Sequence, residues 1–300
     1  ISNNINGIHC QDSSPIIRNN NISSNKEHGI TLINSNATIE GNHLENTDGD
    51  AIKMGSSSPT LRANTIKNNG GGIRCFSYSN PTILNNTITN HSVHGGILIH
   101  RSSPKILNNH ISLNRHGIYC DEYAGPLIQG NNITNNIHGI FSTGYSNLII
   151  QGNTITSNKE DGISNMNGSQ ANIHWNDIHS NGQFGVRNDY PTVVINATHN
   201  YWGSTAGPIF TNKPDATDPE EVSANVTYTP WLTEPIIVME ITNPPEGAIV
   251  SGIIPIKVNA RAVQSISEVR FYLDNTFTYV DDAPPYEWDW NTTQYSEDPH

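Results

Sequence analysis

Lys53, Arg74, Phe76, His100, Tyr119, Asp121 and Phe141 place basic, acidic and aromatic side chains at recurring intervals of 21 to 24 residues. Aromatic rings stack on the apolar faces of sugars, and Lys or Arg pairs with uronate carboxylates, so the set suits a polysaccharide surface. The same types suit proton abstraction beside a carboxylate that cations neutralise. In that case Lys53, Arg74 or His100 would act as base or neutraliser, and Asp121 with Glu122 would hold calcium. The plainer reading, an ordinary exposed strand face, stays open beside these. A second set is His116, His138 and Asp161, each two positions before an Ile or its equivalent. On adjacent strands about 4.8 Å apart they would approach metal-binding spacing. His28 occupies the same position without such neighbours, so a turn preference accounts for the set, and neither metal nor other cofactor is expected.

These positions acquire meaning from a repeat. A Gly-Ile pair recurs with its apolar residue at Ile8, Ile30, Ile52, Ile73, Ile97, Ile118, Ile140, Ile163 and Val186. A second apolar column runs through Ile17, Ile39, Leu61, Ile83, Ile106, Ile128, Ile150 and Ile173, and a third from Ile22 to Ile178. Three short β-favouring runs per repeat, with no helical periodicity, predict a β-solenoid whose inward residues stack coil on coil. After each Gly-Ile pair, alternation sends every second residue outward. Lys53, Arg74, Leu98, Tyr119, Phe141 and Ser164 then share one outward column, and Phe76, His100 and Asp121 share the next. Asn marks two corners: Asn20, Asn42, Asn64, Asn86, Asn109, Asn131, Asn153 and Asn176 at one, Asn25 to Asn181 at the other, interrupted by Thr47 and His91. These Asn are expected to adopt the left-handed conformation of a sharp turn and to bond along the stack. Pro15, Pro59, Pro81, Pro104, Pro126 and Pro191 are expected to open strands at the third corner. Cys10, Cys75 and Cys120 face inward at least two rungs apart, about 9.6 Å, too far for a disulfide, and read as buried thiols.

Bulk properties narrow the partners. The 300 residues carry a formal charge of −12 from 27 acids and 15 bases, which argues against nucleic acid. No run of about 18 apolar residues occurs, so no membrane span is expected. The chain starts and stops inside repeating or domain-like sequence, and is read as a piece of a longer protein.

The pattern G-I-x-x-x-x-S-x-P-x-I-x-x-N-x-I-x-x-N resembles the right-handed parallel β-helix repeat of the pectate-lyase-like and NosD-like superfamily, over residues 1–202. The resemblance implies an all-β, right-handed parallel β-helix of about nine coils, with the substrate groove of its enzymes on the Gly-Ile sheet. Residues 203–233 form a cap and linker, and Tyr201, Trp202 and Trp231, within the closing segment from Asn196 to Leu232, read as cap packing. Residues 234–300, with IIVMEI, IIPIKVN and EVRFYLD split by turns at Asn243-Pro244-Pro245 and at Glu246 and Gly247, resemble an incomplete bacterial immunoglobulin-like β-sandwich. Asn46-Thr47-Asp48-Gly49-Asp50 looks like polygalacturonase motifs, but those elements abut here, Ala51 replaces the second Asp of the pair, and no Gly-His-Gly follows. The expected function is an extracellular or cell-surface protein that binds, or is displayed against, polysaccharide or cell-envelope glycan without catalysis. A uronate lyase or epimerase, with calcium as its cofactor, is the enzyme alternative. A structural envelope component that self-assembles is the third.

Overall fold

The computed structural model describes residues 1–211, 220–245, 248–262, 266, 268–273 and 276–295, so the turn expected at Glu246 and Gly247 lies outside the described residues. Residues Ile1–Glu234 and Pro235–His300 are separate compact units.

The first unit is a parallel β-solenoid of about nine coils with three sheets. The first sheet carries the Gly-Ile strands, from Asn6–Gln11 and His28–Ile33 to Ile163–Asn165 and Phe184–Asn188. Its pairing is in register, Ile30 beside Ile52, Ile73 beside Ile97 and Ile118 beside Ile140. The second and third sheets use strands mostly three residues long, such as Leu127–Gln129 and Asn132–Thr134. A three-residue strand has one inward position, and Ile fills it almost everywhere; Ile128 and Ile133 are fully buried. Most of the β-branched columns expected from the repeat therefore form the core, each stacked on its equivalent in the next coil. Cys10, Cys75 and Cys120 are buried and free, and burial raises each thiol pKa.

The Asn columns are hydrogen-bond ladders. Asn109 Nδ2 donates to Asn131 Oδ1 at 3.0 Å, and Asn131 Nδ2 to Asn153 Oδ1 at 3.0 Å. Each also donates to main-chain carbonyls, as Asn131 does to Ile106 and Gln129. The ladder Asn are not the left-handed residues expected. Positive φ falls on the residue before each one: Asn19, Gly41, Ala63, Asn85, Asn108, Gly130, Gly152 and Trp175. The preceding residue reverses the chain, which turns the Asn side chain inward to satisfy corner amides that water cannot reach. Ser repeats the device at the third corner, where the N–H groups of Ser35, Ser57 and Ser79 donate to Oγ of Ser57, Ser79 and Ser102. Pro15, Pro59, Pro81, Pro104 and Pro126 do precede second-sheet strands, but after Pro191 the strand begins only at Ile195.

The closing segment plugs the core and ends the ladders. Trp202 is fully buried in the apolar cluster. Ile209–Phe210 and Glu221–Val222 add edge strands to the first sheet, and Val226–Thr227 one to the second. Asn200 Oδ1 accepts from Asn176, Glu220 Oε2 from the N–H of Asn181, and Ser223 Oγ from the N–H of Asn188.

In the second unit Ile237–Asn243, Ile253–Ala262 and Tyr286–Asn291 form an antiparallel sheet, and Val269–Leu273 pairs with Thr276–Asp281. Ile256, Val269, Phe271 and Tyr286 make its small core. Among the described residues no helix is long and apolar enough to cross a membrane.

Candidate functional site

The outward face of the first sheet holds a shallow depression of about 400 Å³ lined by Lys53, Arg74, Phe76, Ser77, Leu98, His100 and Asp121. In-register pairing sets this arrangement: Lys53 lies beside Arg74, Arg74 beside Leu98, and His100 beside Asp121. The Phe76 ring lies over Gly55, where a Cβ would come within 2.7 Å of it, and Lys53 Nζ is 5.8 Å from the ring centroid. His100 Nδ1 is 2.8 Å from Asp121 Oδ1. Glu122 is drawn to Arg101 at 2.5 Å and also lies 3.7 Å from His100 Nε2, so the two carboxylates expected to share calcium face protein side chains instead.

Tyr119 and Phe141 do not line the depression. They stack at 5.5 Å with planes 4° apart, and each also meets the His116 ring. His116 and His138 stack face to face at 5.2 Å, which aims their nitrogens away from a common point. His138 Nδ1 is 3.8 Å from Asp161 Oδ2. Among the described residues no group of three His, Cys, Asp or Glu is placed to hold a metal ion. Ser164, expected outward, is fully buried.

His94 does not figure in the sequence reading, Asp50 figures only within the Asn46–Asp50 run, and His28, expected to lack ionisable neighbours, has Asp50 3.8 Å away on the next coil. Asp50, 1% exposed, underlies Arg74, whose Nη1 is 3.9 Å from Asp50 Oδ2. His94, from two coils further on, brings Nδ1 to 2.9 Å from Asp50 Oδ1. It passes over Gly71, where a Cβ would lie 2.4 Å from Asp50 Oδ1 and 2.9 Å from His94 Cβ. His28 approaches Asp50 from the other side, 3.8 Å from Oδ2, and Lys53 Nζ sits 3.2 Å from His28 Nε2. Burial first, then Lys53, lowers the His28 pKa, which keeps the ring neutral beside that ammonium. The available signal was the position of Asp50, in the same column as His28, His116, His138 and Asp161. At the neighbouring corner Tyr78, Tyr123 and Tyr145 are exposed, and the last two stack at 5.9 Å.

The His–Asp–Arg diagonal occurs twice. His28, Asp50 and Arg74 lie on coils two, three and four; His138, Asp161 and Arg187 lie on coils seven, eight and nine. The His-to-Asp distance is 3.8 Å in both, and the Arg-to-Asp distance is 3.9 Å and 3.8 Å. Their surroundings differ. Phe184, 5% exposed, stands over Asp161 where Gly71 stands over Asp50, and its N–H donates to Asp161 Oδ1. Burial raises the Asp161 pKa. Arg187 Nε also donates to Asp189 at 2.9 Å, whereas Arg74 Nε is buried with no hydrogen-bond partner among the described residues.

The family model described as right handed beta helix region matches residues 6–140 and 95–202. The chain belongs to the right-handed β-helix family. A second family model, described as bacterial Ig domain, matches residues 238–300 of this β-helix protein. No curated protein matches it. Among solved structures it is similar to trypsin-treated QnrB1, a plasmid-mediated fluoroquinolone resistance protein, at 14% identity over 59% of this chain and 84% of that one, with a TM-score of 0.16. A β-helix with an immunoglobulin-like domain fits a surface or secreted β-helix protein.

Proposed function

We propose that this protein, outside the cell or at its surface, binds an acidic, uronate-containing polysaccharide through the Lys53–Asp121 depression, without changing it chemically. One observation carries the reading. Lys53 and Arg74 stand on adjacent rungs, and among the described residues their only ion pair is the long contact from Arg74 to Asp50. Arg187, their counterpart five or more coils away, has two carboxylates. Two under-neutralised cations beside an aromatic ring match a sugar that carries a carboxylate. A net charge of −12 repels acidic polymers elsewhere on the molecule, which confines such a chain to this face.

Calorimetry with galacturonate oligomers and with neutral hexose oligomers tests it. The acidic oligomer is expected to bind, more weakly as salt rises, and Arg74→Ala and Lys53→Ala each to weaken it by about tenfold. Equal binding of neutral and acidic oligomers, or unchanged affinity in both variants, sinks the reading.

The contact between His100 and Asp121 favours one alternative, a uronate lyase or epimerase on the same face. A carboxylate on Nδ1 fixes the imidazole tautomer and makes Nε2, which has Glu122 Oε2 3.7 Å away, the basic atom. Release of unsaturated uronate products, or solvent deuterium entering recovered polymer, with loss of either in His100→Gln, would select that alternative.

A further inference from the structure

The two His–Asp–Arg groups are an internal comparison, the same backbone frame closed in one place and open in the other. In the closed group, Asp161 Oδ1 accepts from the main-chain N–H of Phe184, the Phe184 ring occupies the adjacent space, and Asp189 takes the second side of Arg187. Every one of these closures is removed around Asp50. Gly71 replaces Phe184, and Phe76 takes the place of Asp189, two residues after the Arg. Asp50 Oδ1 is satisfied instead by a side chain that enters through the gap, the imidazole of His94. That side chain is 39% exposed, while the carboxylate holding it is 1% exposed.

This arrangement fixes the chemistry that His94 offers. The buried carboxylate accepts from Nδ1–H, so in the neutral ring Nε2 carries the lone pair. No described group bonds Nε2. The other oxygen of the same carboxylate lies 3.9 Å from Arg74 Nη1 and has no hydrogen-bond partner among the described residues, so an acceptor and a guanidinium converge on one buried group. A ligand that fits both has a carboxylate for Arg74 and Lys53 and a hydroxyl close by to donate to Nε2. A uronate sugar meets both demands; a simple carboxylate or a phosphate meets only the first.

We infer that His94, held by Asp50 through the gap at Gly71, is a ligand-binding residue that reads a sugar hydroxyl next to the carboxylate on Lys53 and Arg74, and so makes the site selective for uronates over other polyanions. The inference rests on the uronate-binding reading above. Asp50 acts through His94 and Arg74 as a positioning residue.

Titration of the whole chain with galacturonate oligomers and with glutamate oligomers, which carry carboxylates and no hydroxyls, tests it. The wild type is expected to favour the galacturonate oligomer by about tenfold, the worth of roughly one buried hydrogen bond. His94→Phe is expected to erase that preference and keep salt-sensitive binding of both oligomers. Gly71→Phe, which closes the frame as Phe184 does, is expected to weaken both. Wild-type selectivity that survives in His94→Phe overturns this inference and leaves the cationic site standing. Failure of the wild type to bind galacturonate overturns both. If circular dichroism shows Gly71→Phe unfolded, the exposed His94→Phe decides alone.

Discussion

At the level of single residues, the stacked pair His116 and His138 puts an ionisable group where it cannot comfortably ionise. Burial, then the neighbouring His138 and Arg115, pushes the His116 pKa down to about 4. The unfolded chain takes up this proton near the ordinary value of about 6.5. Between about pH 6.5 and pH 4 the unfolded state therefore binds more protons than the native one, so stability falls as the pH falls through that window. His116→Phe keeps the ring stack and removes the proton site; its denaturant midpoint is expected to vary less than the wild type's across the same window. Tyr78 gives a second residue-level test. It follows Ser77 in a corner with two consecutive left-handed residues and has φ of 60°, while Gly168 fills the matching place in coil eight. Its side chain is 77% exposed, so Tyr78→Gly relieves the backbone at no packing cost. Thermal unfolding is expected to show a gain of about 1 kcal/mol.

Elements take their stability from the ladders as much as from the Ile columns. Asn131 accepts from the main-chain N–H and Nδ2 of Asn109 and donates to three further groups. Asn131→Ala strands several of these in the dry interior and is expected to cost about 3 kcal/mol or more by chemical denaturation. Asn20, at the partly exposed start of the same ladder, is expected to cost about 1 kcal/mol, because water replaces the lost partner. The columns were legible because each coil asks the same question of the same position, and Ile or Asn is the answer nearly every time. The left-handed residue was not legible, since Asn19, Ala63, Gly130 and Trp175 share only a backbone shape. The site was half legible for a related reason. Lys53, Arg74, His100 and Asp121 sit in register, so alternation finds them. The bond from His94 to Asp50 spans 44 residues and skips a rung, and a comparison of like positions in successive coils passes over it.

For the β-helix as a whole, the coil is the unit of change. Trp202 closes the core and is fully buried, so Trp202→Ala is expected to cost about 3–5 kcal/mol and to expose the last coil to fraying, visible as faster amide exchange at Ile178 and Val186. Excision of residues 109–130 joins Asn108 to Asn131 and removes one full repeat; a cooperative unfolding transition is expected to remain. Removal of residues 109–119, half a repeat, sets the following strands out of phase with their neighbours and is expected to abolish that transition.

The ladders accept only whole coils, and this makes the molecule a ruler with fixed graduations. The open His–Asp–Arg group and its closed twin stand five marks apart, about 24 Å. Descendants of this chain can lengthen or shorten that interval only in steps of about 4.8 Å, one duplicated or lost coil at a time. Any partner that grips two points along this protein meets a distance that changes by counting and not by degrees.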